Sequence, residues 1–560
     1  MRFSRRSRVA LGAAAPLAVL AVLAAQVPGN AAVAGKHLAT GRSPESVTAA
    51  RPVVGPPLGR PKPAALPPGI SPAGPSPWQP LNHAPPFDPG SMLLASDGTV
   101  LVHAEPPAGG TSMWYKLKPD RQGSYADGTW SKIASMPSGY NPLYFASAIL
   151  PSGQMIVEGG EYLGGTEAWT SKGATYDPVT NTWRSVAPPE GWANIGDAQS
   201  DVLANGTFVL SQACQNCLSQ NFSLSTSDAL YNATGRNWIT LGGQGKNDPN
   251  DEEGWTLQPN GNLLTVDTWL TPTTETFSPT TLSWSNAGDT MRSPINALAV
   301  ETGPQVEMPG GNTLVVGAGT GAVAPAACTT HKPAATALYD YAAARWVNGP
   351  LIPTIGGLQY DSADGPGATL PDGNVLFDVS PCVFNAPIAF FLYDASSRTL
   401  VPVPDIPNAA NDSTFNTRML DLPNGQVLFN DGSRQMELYT AGGTPNPAWA
   451  PSLTSISSFS FARGQTARVG GTQLAGLDPG AAYGDDVQDA TNFPLVRITS
   501  IRTGVVTYAR TSRWTSVSIA PGASSSTSFT IPSNAPLGAS TLVVVANGIA
   551  SQPVPVTIHR

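Results

Sequence analysis

Residues 370–376 read LPDGNVL, in which an Asp-Gly pair stands between two apolar runs. Asp-Gly and Asn-Gly in that setting are the strongest short signal for a β-hairpin, since both turn positions must tolerate positive φ. The same turn, followed by an apolar strand, occurs seven times at intervals of 50 to 62 residues, with its glycine at Gly98, Gly153, Gly206, Gly261, Gly311, Gly373 and Gly425. A period near 50 is typical of the kelch-type blade of a β-propeller.

A second motif follows most turn glycines by 16 to 28 residues: Tyr or Phe, a turn, and then Trp seven residues on. It is seen in the pairs Tyr176 and Trp183, Tyr231 and Trp238, Phe277 and Trp284, and Tyr339 and Trp346. Tyr393 leads to Leu400 instead, and the outer repeats are irregular, with Leu117 before Trp130 and Tyr439 before Trp449. Each repeat therefore predicts two hairpins, or one four-stranded blade, with Tyr and Trp packed between neighbouring blades.

The period stops after Trp449, and residues 452–560 show alternating strands with no helical period. The fold class predicted is all-β: a seven-bladed kelch-type β-propeller over residues 79–451, followed by an immunoglobulin-like β-sandwich over residues 452–560. Low charge (12%), Gly 57, Pro 55 and Trp 13 fit short strands joined by tight turns. A coiled coil is excluded, because its Ala/Glu/Lys/Leu periodicity is missing.

The amino-terminal segment predicts export. Residues 1–34 combine a basic start, an apolar run and the cleavage-site pattern AVA at 32–34, so they read as a signal peptide. Residues 35–78 form a Pro/Ala-rich segment that cannot bury enough apolar surface to fold alone, and they are predicted to be a disordered linker. The mature protein is expected to be secreted, monomeric and not inserted in a membrane.

Four cysteines in an exported chain predict disulfides. Cys214 and Cys217 are close enough to pair, which leaves Cys328 for Cys382. A formal net charge of -8 and a pI near 5.2, with no basic cluster in the mature region, exclude nucleic acid as a partner class.

A kelch propeller followed by an immunoglobulin-like domain resembles the galactose oxidase and glyoxal oxidase family of copper radical oxidases. The resemblance covers roughly residues 80–560 and implies that each innermost strand starts at the channel mouth, nine or ten residues before the turn glycine. It also implies a copper site made from a Tyr linked to a Cys, a Tyr-His pair and a His of the last domain. Tyr144 lies where the linked Tyr belongs, and Tyr162 lies where a stacking aromatic is placed.

The other copper ligands of that family are not matched. The chain has Asp88-Pro89 where the Cys belongs and Phe415-Asn416 where the Tyr-His pair belongs. Its five histidines are His37, His83, His103, His331 and His559, and none falls on a ligand position. His103 is predicted to be a satisfied interior residue and His331 a loop residue. Copper is not expected.

The same register places other side chains at the mouth. It selects Pro89, Tyr144, Asp197, Glu252, Thr302, Asp364 and Asn416, preceded in several blades by Asp88, Asp251, Glu301 and Phe415. Aromatic faces beside carboxylates suit a carbohydrate. The function predicted is therefore binding of a glycan or cell-wall polymer without redox chemistry, at Tyr144, Tyr162, Asp197, Glu252, Asp364, Phe415 and Asn416.

Three alternatives remain open at this point. Paired mouth carboxylates could hydrolyse a glycosidic bond or act in a lyase. A copper-dependent oxidase with a substituted ligand set is the weaker enzymatic alternative. Calcium is the one metal that these acidic residues could bind, because carboxylate oxygens are its ligands. The same residues also fit acidic side chains of solvent-exposed loops with no binding role.

Overall fold

The computed structural model describes residues 76–217, 223–320, 330–484 and 489–560. Within these residues the chain forms β-strands and three short 3-10 turns, Ala409–Asn411, Thr414–Asn416 and Pro447–Trp449, so the all-β prediction is confirmed. None of the helical segments among the described residues is long and apolar enough to cross a bilayer. The predicted signal peptide and almost all of the predicted linker lie outside the described residues.

The first half of the ring is built from strands that follow one another along the chain. After β1 (Trp78–Pro80), these are β2 (Pro89–Leu94), β3 (Val100–Ala104), β4 (Trp114–Lys118), β5 (Thr129–Lys132), β6 (Pro142–Leu143), β7 (Ala146–Ile149), β8 (Met155–Glu158), β9 (Tyr162–Leu163), β10 (Thr166–Glu167), β11 (Gly173–Asp177), β12 (Thr182–Val186), β13 (Ser200–Val202), β14 (Phe208–Ser211), β15 (Asp228–Asn232), β16 (Asn237–Thr240), β17 (Thr256–Leu257), β18 (Leu263–Val266), β19 (Thr273–Ser278) and β20 (Ser283–Asp289).

The second half continues the pattern. Its strands are β21 (Gln305–Glu307), β22 (Thr313–Val316), β23 (Thr336–Asp340), β24 (Arg345–Asn348), β25 (Tyr360–Asp361), β26 (Gly367–Thr369), β27 (Val375–Pro381), β28 (Ala389–Asp394), β29 (Thr399–Val403), β30 (Arg418–Asp421), β31 (Gln426–Asn430) and β32 (Glu437–Thr440).

Antiparallel four-stranded units recur around the ring in the described part of the chain. Their orders are β2-β3-β4-β5, β7-β8-β11-β12, β13-β14-β15-β16, β17-β18-β19-β20, β21-β22-β23-β24, β26-β27-β28-β29 and β30-β31-β32-β1. The first strands of successive units are neighbours in space, and β30 lies beside β2, so the circle closes. This is the arrangement of a β-propeller, with small extra strands such as β6, β9 and β10 at its rim.

The turn glycines behave largely as the sequence predicts. All seven have positive φ, between 72° and 96°. The hairpin prediction also requires positive φ at the residue before each turn glycine. Only one of those seven residues, Gly310, has it, so this part of the prediction is wrong for the other six turns. Instead, an Asx contact such as Thr99 N donating to Asp97 Oδ1 shapes a turn that ends in one left-handed glycine.

The tryptophans of the repeated motif connect neighbouring sheets, as predicted. Each Trp pairs across its own outer hairpin with Tyr or Phe, for example Tyr176 with Trp183. The Trp183 indole then donates to Ala134 O, and the Trp238 indole to Ala187 O, both in the chain just after the preceding sheet. These indole hydrogen bonds fix the spacing of adjacent sheets.

The last repeat differs from its prediction. Its outer strand comes from the other end of the chain, because β1 pairs with β32 and places Trp78 opposite Tyr439. The Trp78 indole donates to Pro404 O at 2.6 Å, which is the inter-sheet role predicted for Trp449. Trp449 lies instead in a 3-10 turn after the ring. Pairing the first and last strands of the ring within one sheet holds the ring closed.

The carboxy-terminal strands are β33 (Ser452–Ile456), β34 (Ser460–Ala462), β35 (Thr466–Thr472), β36 (Ala481–Ala482), β37 (Leu495–Ser500), β38 (Val506–Ser512), β39 (Ser524–Thr530), β40 (Gly538–Ala546), β41 (Ile549–Ala550) and β42 (Val554–His559). They pair in the order β33-β35-β39-β38-β37-β40-β42-β34 around a core that includes Val496, Phe529 and Leu542. The assignment of this unit as immunoglobulin-like stays a prediction.

One strand of this carboxy-terminal unit belongs to the ring. β36 pairs with β26 and also lies against β21 and β30, which are innermost strands of three adjacent sheets. It therefore occupies the space that the innermost strands surround. The disulfide between Cys214 and Cys217 is present, and Cys382 is not a free thiol; its expected partner Cys328 lies outside the described residues.

Candidate functional site

A pocket with about 570 Å³ of free space, part of it open solvent, lies where the first, second and last sheets meet. Three of the seven predicted binding residues, Tyr144, Phe415 and Asn416, line it together. The remaining lining residues are Pro89, Gly90, Glu105, Pro106, Pro107, Gly109, Leu143, Arg418, Asp431 and Gly432. The starts of β2, β7 and β30 thus supply one concave surface with apolar and polar parts, as in small-ligand sites.

Local backbone geometry sets the aromatic wall of this pocket. Tyr144 precedes β7 with φ of 55°, an uncommon conformation for a non-glycine residue. Its ring meets Tyr162 edge to face, with centroids 6.0 Å apart. Phe415 and Asn416 end the 3-10 turn Thr414–Asn416 before β30, and the Phe415 ring packs edge to face on Phe384. Phe415 is 1% exposed, so it forms the floor of the pocket, whereas Tyr144 is 7% exposed.

Glu105 supplies a carboxylate that stays ionised. Its Oε1 accepts hydrogen bonds from Ser91 N at 3.0 Å, Ser91 Oγ at 2.8 Å and His103 Nδ1 at 2.9 Å. Burial by itself would raise the pKa of Glu105, but the contacts with His103, Arg418 and Ser91 outweigh it and lower that pKa to about 2. His103 is buried, and its other nitrogen contacts Thr111 O at 2.6 Å, so it is hydrogen-bonded at both ring nitrogens.

Arg418 provides the cationic side of the pocket. Its Nη1 donates to Phe415 O at 2.9 Å and to Thr417 O at 2.8 Å, which fixes the guanidinium beside the 3-10 turn. The guanidinium carbon lies 3.9 Å from the ring centroid of Tyr483, a residue of the carboxy-terminal unit. Tyr483 also donates its hydroxyl to Phe415 O at 2.9 Å. The pocket wall is therefore held from both parts of the chain.

Two further polar groups complete the pocket. Asp431 is oriented by Ser433 N at 2.8 Å and by Asn408 Nδ2 at 2.6 Å. The Asn416 Nδ2 is buried with no hydrogen-bond partner among the described residues. An amide donor in that state is available to a ligand that brings an acceptor.

The predicted mouth acids form a separate group. Carboxylate oxygens of Glu252, Glu301 and Asp364 lie within 4.8 Å of one another, and all three side chains are buried. Glu252 and Asp364 stand at the same register position and share positive φ, 59° and 50°. Three converging carboxylates fit a hard cation such as calcium. They belong to the fourth, fifth and sixth sheets and do not line the pocket.

A second acidic group lies inside the fourth sheet. Asp248, Glu253 and Asp267 also bring carboxylate oxygens within 4.8 Å of one another. Unlike the first group, this one contains a cation: Lys246 Nζ lies 2.7 Å from Glu253 Oε1 and 2.7 Å from Glu275 Oε2, and all of these side chains are buried. The group is a buried ion-pair network with its own cation.

Two predicted site residues lie elsewhere. Asp197 is buried in the segment before β13, and Tyr162 is fully buried in β9 beneath Tyr144; neither lines the pocket. Glu105, Arg418 and Tyr483 were not selected from the sequence. The signal for Arg418 in the sequence is its place two residues after Asn416; strand periodicity does not relate the two, because Asn416 ends a 3-10 turn and Arg418 begins β30.

Comparison with known proteins gives no family: no family model matches the chain, and no curated protein matches it. Among solved structures, the chain is similar to a fungal copper alcohol oxidase of the AA5 family, at 13% identity and a TM-score of 0.48. That similarity covers 86% of this chain and 99% of the oxidase.

Two other similarities are of the same kind. YjhT is 15% identical with a TM-score of 0.38, over 55% of this chain and 96% of its own. The extracellular domain of a hybrid two-component system from B. thetaiotaomicron is 10% identical with a TM-score of 0.42, over 84% of this chain and 57% of its own. At these identities no residue here takes a role from theirs.

Proposed function

We propose that the chain is a secreted protein that binds a glycan in the pocket at Tyr144, Asn416, Glu105 and Arg418. The observation that supports this most is that the Tyr144 ring, 7% exposed, lines a single concavity together with fixed donors and acceptors. Sugar rings place CH groups on aromatic faces and direct their hydroxyls to carboxylates, amides and guanidinium groups.

The charges favour binding over cleavage. A glycosidase needs one carboxylic acid that keeps its proton, together with a second carboxylate. The pKa of Glu105 is held low by His103, Arg418 and Ser91, so this group accepts hydrogen bonds and does not donate a proton to a leaving group. Hydrolysis or elimination by other mouth carboxylates is the second candidate function.

A glycan array on residues 35–560, followed by calorimetry on the best ligand, tests the proposal. Tyr144→Ala is expected to weaken binding at least tenfold, because it removes the stacking face. Tyr341→Ala is the matched control, since Tyr341 packs beside the turn glycine Gly311 at the other end of its sheet. Equal affinity in wild type and Tyr144→Ala, or no bound glycan, would contradict the proposal; release of shorter sugars would favour the hydrolase.

Copper chemistry is the weaker alternative. None of the described residues that line the pocket is His or Cys, the ligands that copper prefers. His103 has both nitrogens in hydrogen bonds to Glu105 and Thr111. The donors at the pocket therefore do not fit copper. Metal analysis after copper loading, with a peroxide-release assay on alcohols, aldehydes and sugars, decides this alternative.

A calcium ion at Glu252, Glu301 and Asp364 is part of the same proposal, as a structural ion at the mouth. Calcium titration by calorimetry is expected to show one ion per chain and a rise in Tm. Asp364→Asn should abolish both effects, because it removes one of the three carboxylates. The backbone should be unaffected, because Asn adopts the left-handed region at position 364 as readily as Asp does. Asp340→Asn, on an outer strand, serves as control; no calcium effect on wild type would refute the ion.

A further inference from the structure

A segment of the carboxy-terminal unit fills the centre of the ring. We call residues 478–484 and 489–492 the channel segment; it contains β36, which pairs with β26 and lies against β21 and β30. Its Tyr483 hydroxyl reaches Phe415 O at 2.9 Å. Contacts between this segment and the innermost strands therefore join the two parts of the chain.

Two carboxyl groups meet at this junction without hydrogen-bond donors. Asp421, the last residue of β30, is 4% exposed, and neither of its oxygens has a hydrogen-bond partner among the described residues. Asp489 of the channel segment is 1% exposed and is in the same state. An ionised carboxylate buried without donors is strongly unfavourable, so the folded protein favours the neutral acid at both positions.

The surrounding charges are mostly of the same sign. Asp421 faces Asp478 and Asp489 across the junction. Asp489 also faces Arg418 and Glu105. Burial is the largest cause in each case, and it raises the pKa of Asp421 well above its usual value and that of Asp489 to about 8, despite Arg418.

Asp478 adds a third carboxyl to the same region. It accepts hydrogen bonds from Gly480 N at 3.0 Å and Asn547 Nδ2 at 2.8 Å, yet burial raises its pKa to about 7. Glu307 of β21 faces Asp478 as well. Arg418 is the one cation that faces Asp489 from the described residues, and it is shared with Glu105 and Asp378.

We propose that Asp421 and Asp489 form a proton lock: as neutral acids they let the channel segment seat against β30, and their ionisation in alkaline solution loosens it. This inference does not depend on the proposed glycan function. A proton fits the junction better than a divalent cation, because the convergent carboxylate groups among the described residues lie elsewhere, at Glu252 and at Asp248 with their neighbours.

The sign of the pH dependence follows from proton linkage. A carboxyl group whose folded-state pKa is raised binds its proton more tightly in the folded state than in the unfolded chain. Its contribution favours folding at low pH and is lost as pH rises from about 4, the unfolded value, to about 8 at Asp489. Above that range Asp489 carries a buried negative charge and its contribution is lost, and the contribution of Asp421 is lost as pH rises through its own raised pKa.

Hydrogen exchange on residues 35–560 tests the lock at pH 5, 7 and 9, with rates corrected for intrinsic exchange. In wild type, amides of residues 480–484 are expected to lose protection at least tenfold between pH 5 and 9. The double variant Asp421→Asn with Asp489→Asn should keep that protection at pH 9, each single variant should keep part of it, and all three should match wild type at pH 5. Glu190→Gln, an exposed carboxylate in a loop, is the control and should behave as wild type.

Other outcomes overturn the proposal. Protection that stays constant in wild type from pH 5 to 9 would do so, as would equal loss in the Asn variants. Loss of protection on adding EDTA at pH 7 to Asp364→Asn, which lacks the proposed calcium site, would replace the proton by a bound cation. Because the wild-type pH series needs no substitution, the test stands even if an Asn variant fails to fold.

Discussion

The guanidinium of Arg418 lies over the ring of Tyr483, its central carbon 3.9 Å from the ring centroid. Arg418 begins the last innermost strand of the ring, and Tyr483 belongs to the carboxy-terminal unit. Both also contact Phe415 O, the Arg418 Nη1 at 2.9 Å and the Tyr483 hydroxyl at 2.9 Å. One carbonyl and one stacked pair therefore connect the pocket floor to the segment that fills the ring.

Two substitutions at Tyr483 separate the hydroxyl from the ring. Tyr483→Phe removes one donor to Phe415 O and should lower the free energy of unfolding by about 1 kcal/mol. Tyr483→Ala also removes the stacked ring and should cost about 3–5 kcal/mol. Denaturant unfolding of both variants checks this; equal losses would mean that the ring contributes nothing beyond the hydroxyl.

Lys246 is expected to be essential to the fourth sheet. Lys246→Met leaves buried Glu253 and Glu275 without their cation and should reduce the free energy of unfolding by about 3–5 kcal/mol at pH 7. Lys118→Met, at an exposed strand end, is the control and should change stability by less than about 0.5 kcal/mol. A small effect of Lys246→Met at pH 7 would contradict the assigned ion pairs.

Glu105 should give a signature at acid pH. Its folded pKa is about 2, below the ordinary 4.5, so its ionised form stabilises the fold above about pH 4.5 and this is lost as pH falls toward 2. A shift of that size corresponds to about 3 kcal/mol at neutral pH. Glu105→Gln should therefore be less stable at pH 7, with the difference closing below pH 4. A difference that does not change with pH would show that charge is not the cause.

Closure of the ring can be tested at two tryptophans. Trp78→Ala removes a buried ring that contacts Phe390, Phe429 and Tyr439, and should lower stability by about 3–5 kcal/mol. Trp449→Ala, at the position expected from the repeat pattern, should lower it much less, because that side chain is only partly buried. Thermal unfolding of the pair compares them directly, and the reverse order of losses would refute closure through β1.

Repeat spacing was enough to predict the ring and most of its internal contacts. The turn glycines Gly98 to Gly425 and the Tyr–Trp pairs are local signals, since each depends on residues a few positions apart. The mouth register also placed Tyr144, Phe415 and Asn416 around one pocket and brought Glu252 close to Asp364.

What depends on distant contacts was not readable in the sequence. Trp78 reaches Tyr439 because the first and last strands of the ring pair, and no local pattern identifies a strand that completes a sheet formed elsewhere in the chain. Tyr483 meets Arg418, and Asp489 meets Asp421, only because the carboxy-terminal unit sends a segment into the ring. The sequence by itself determined the repeating unit, whose strands and turns are stabilised locally. The tertiary structure decided which carboxylates are buried away from solvent and which have a hydrogen-bond or ion-pair partner, because burial is a property of the closed ring and not of any one repeat.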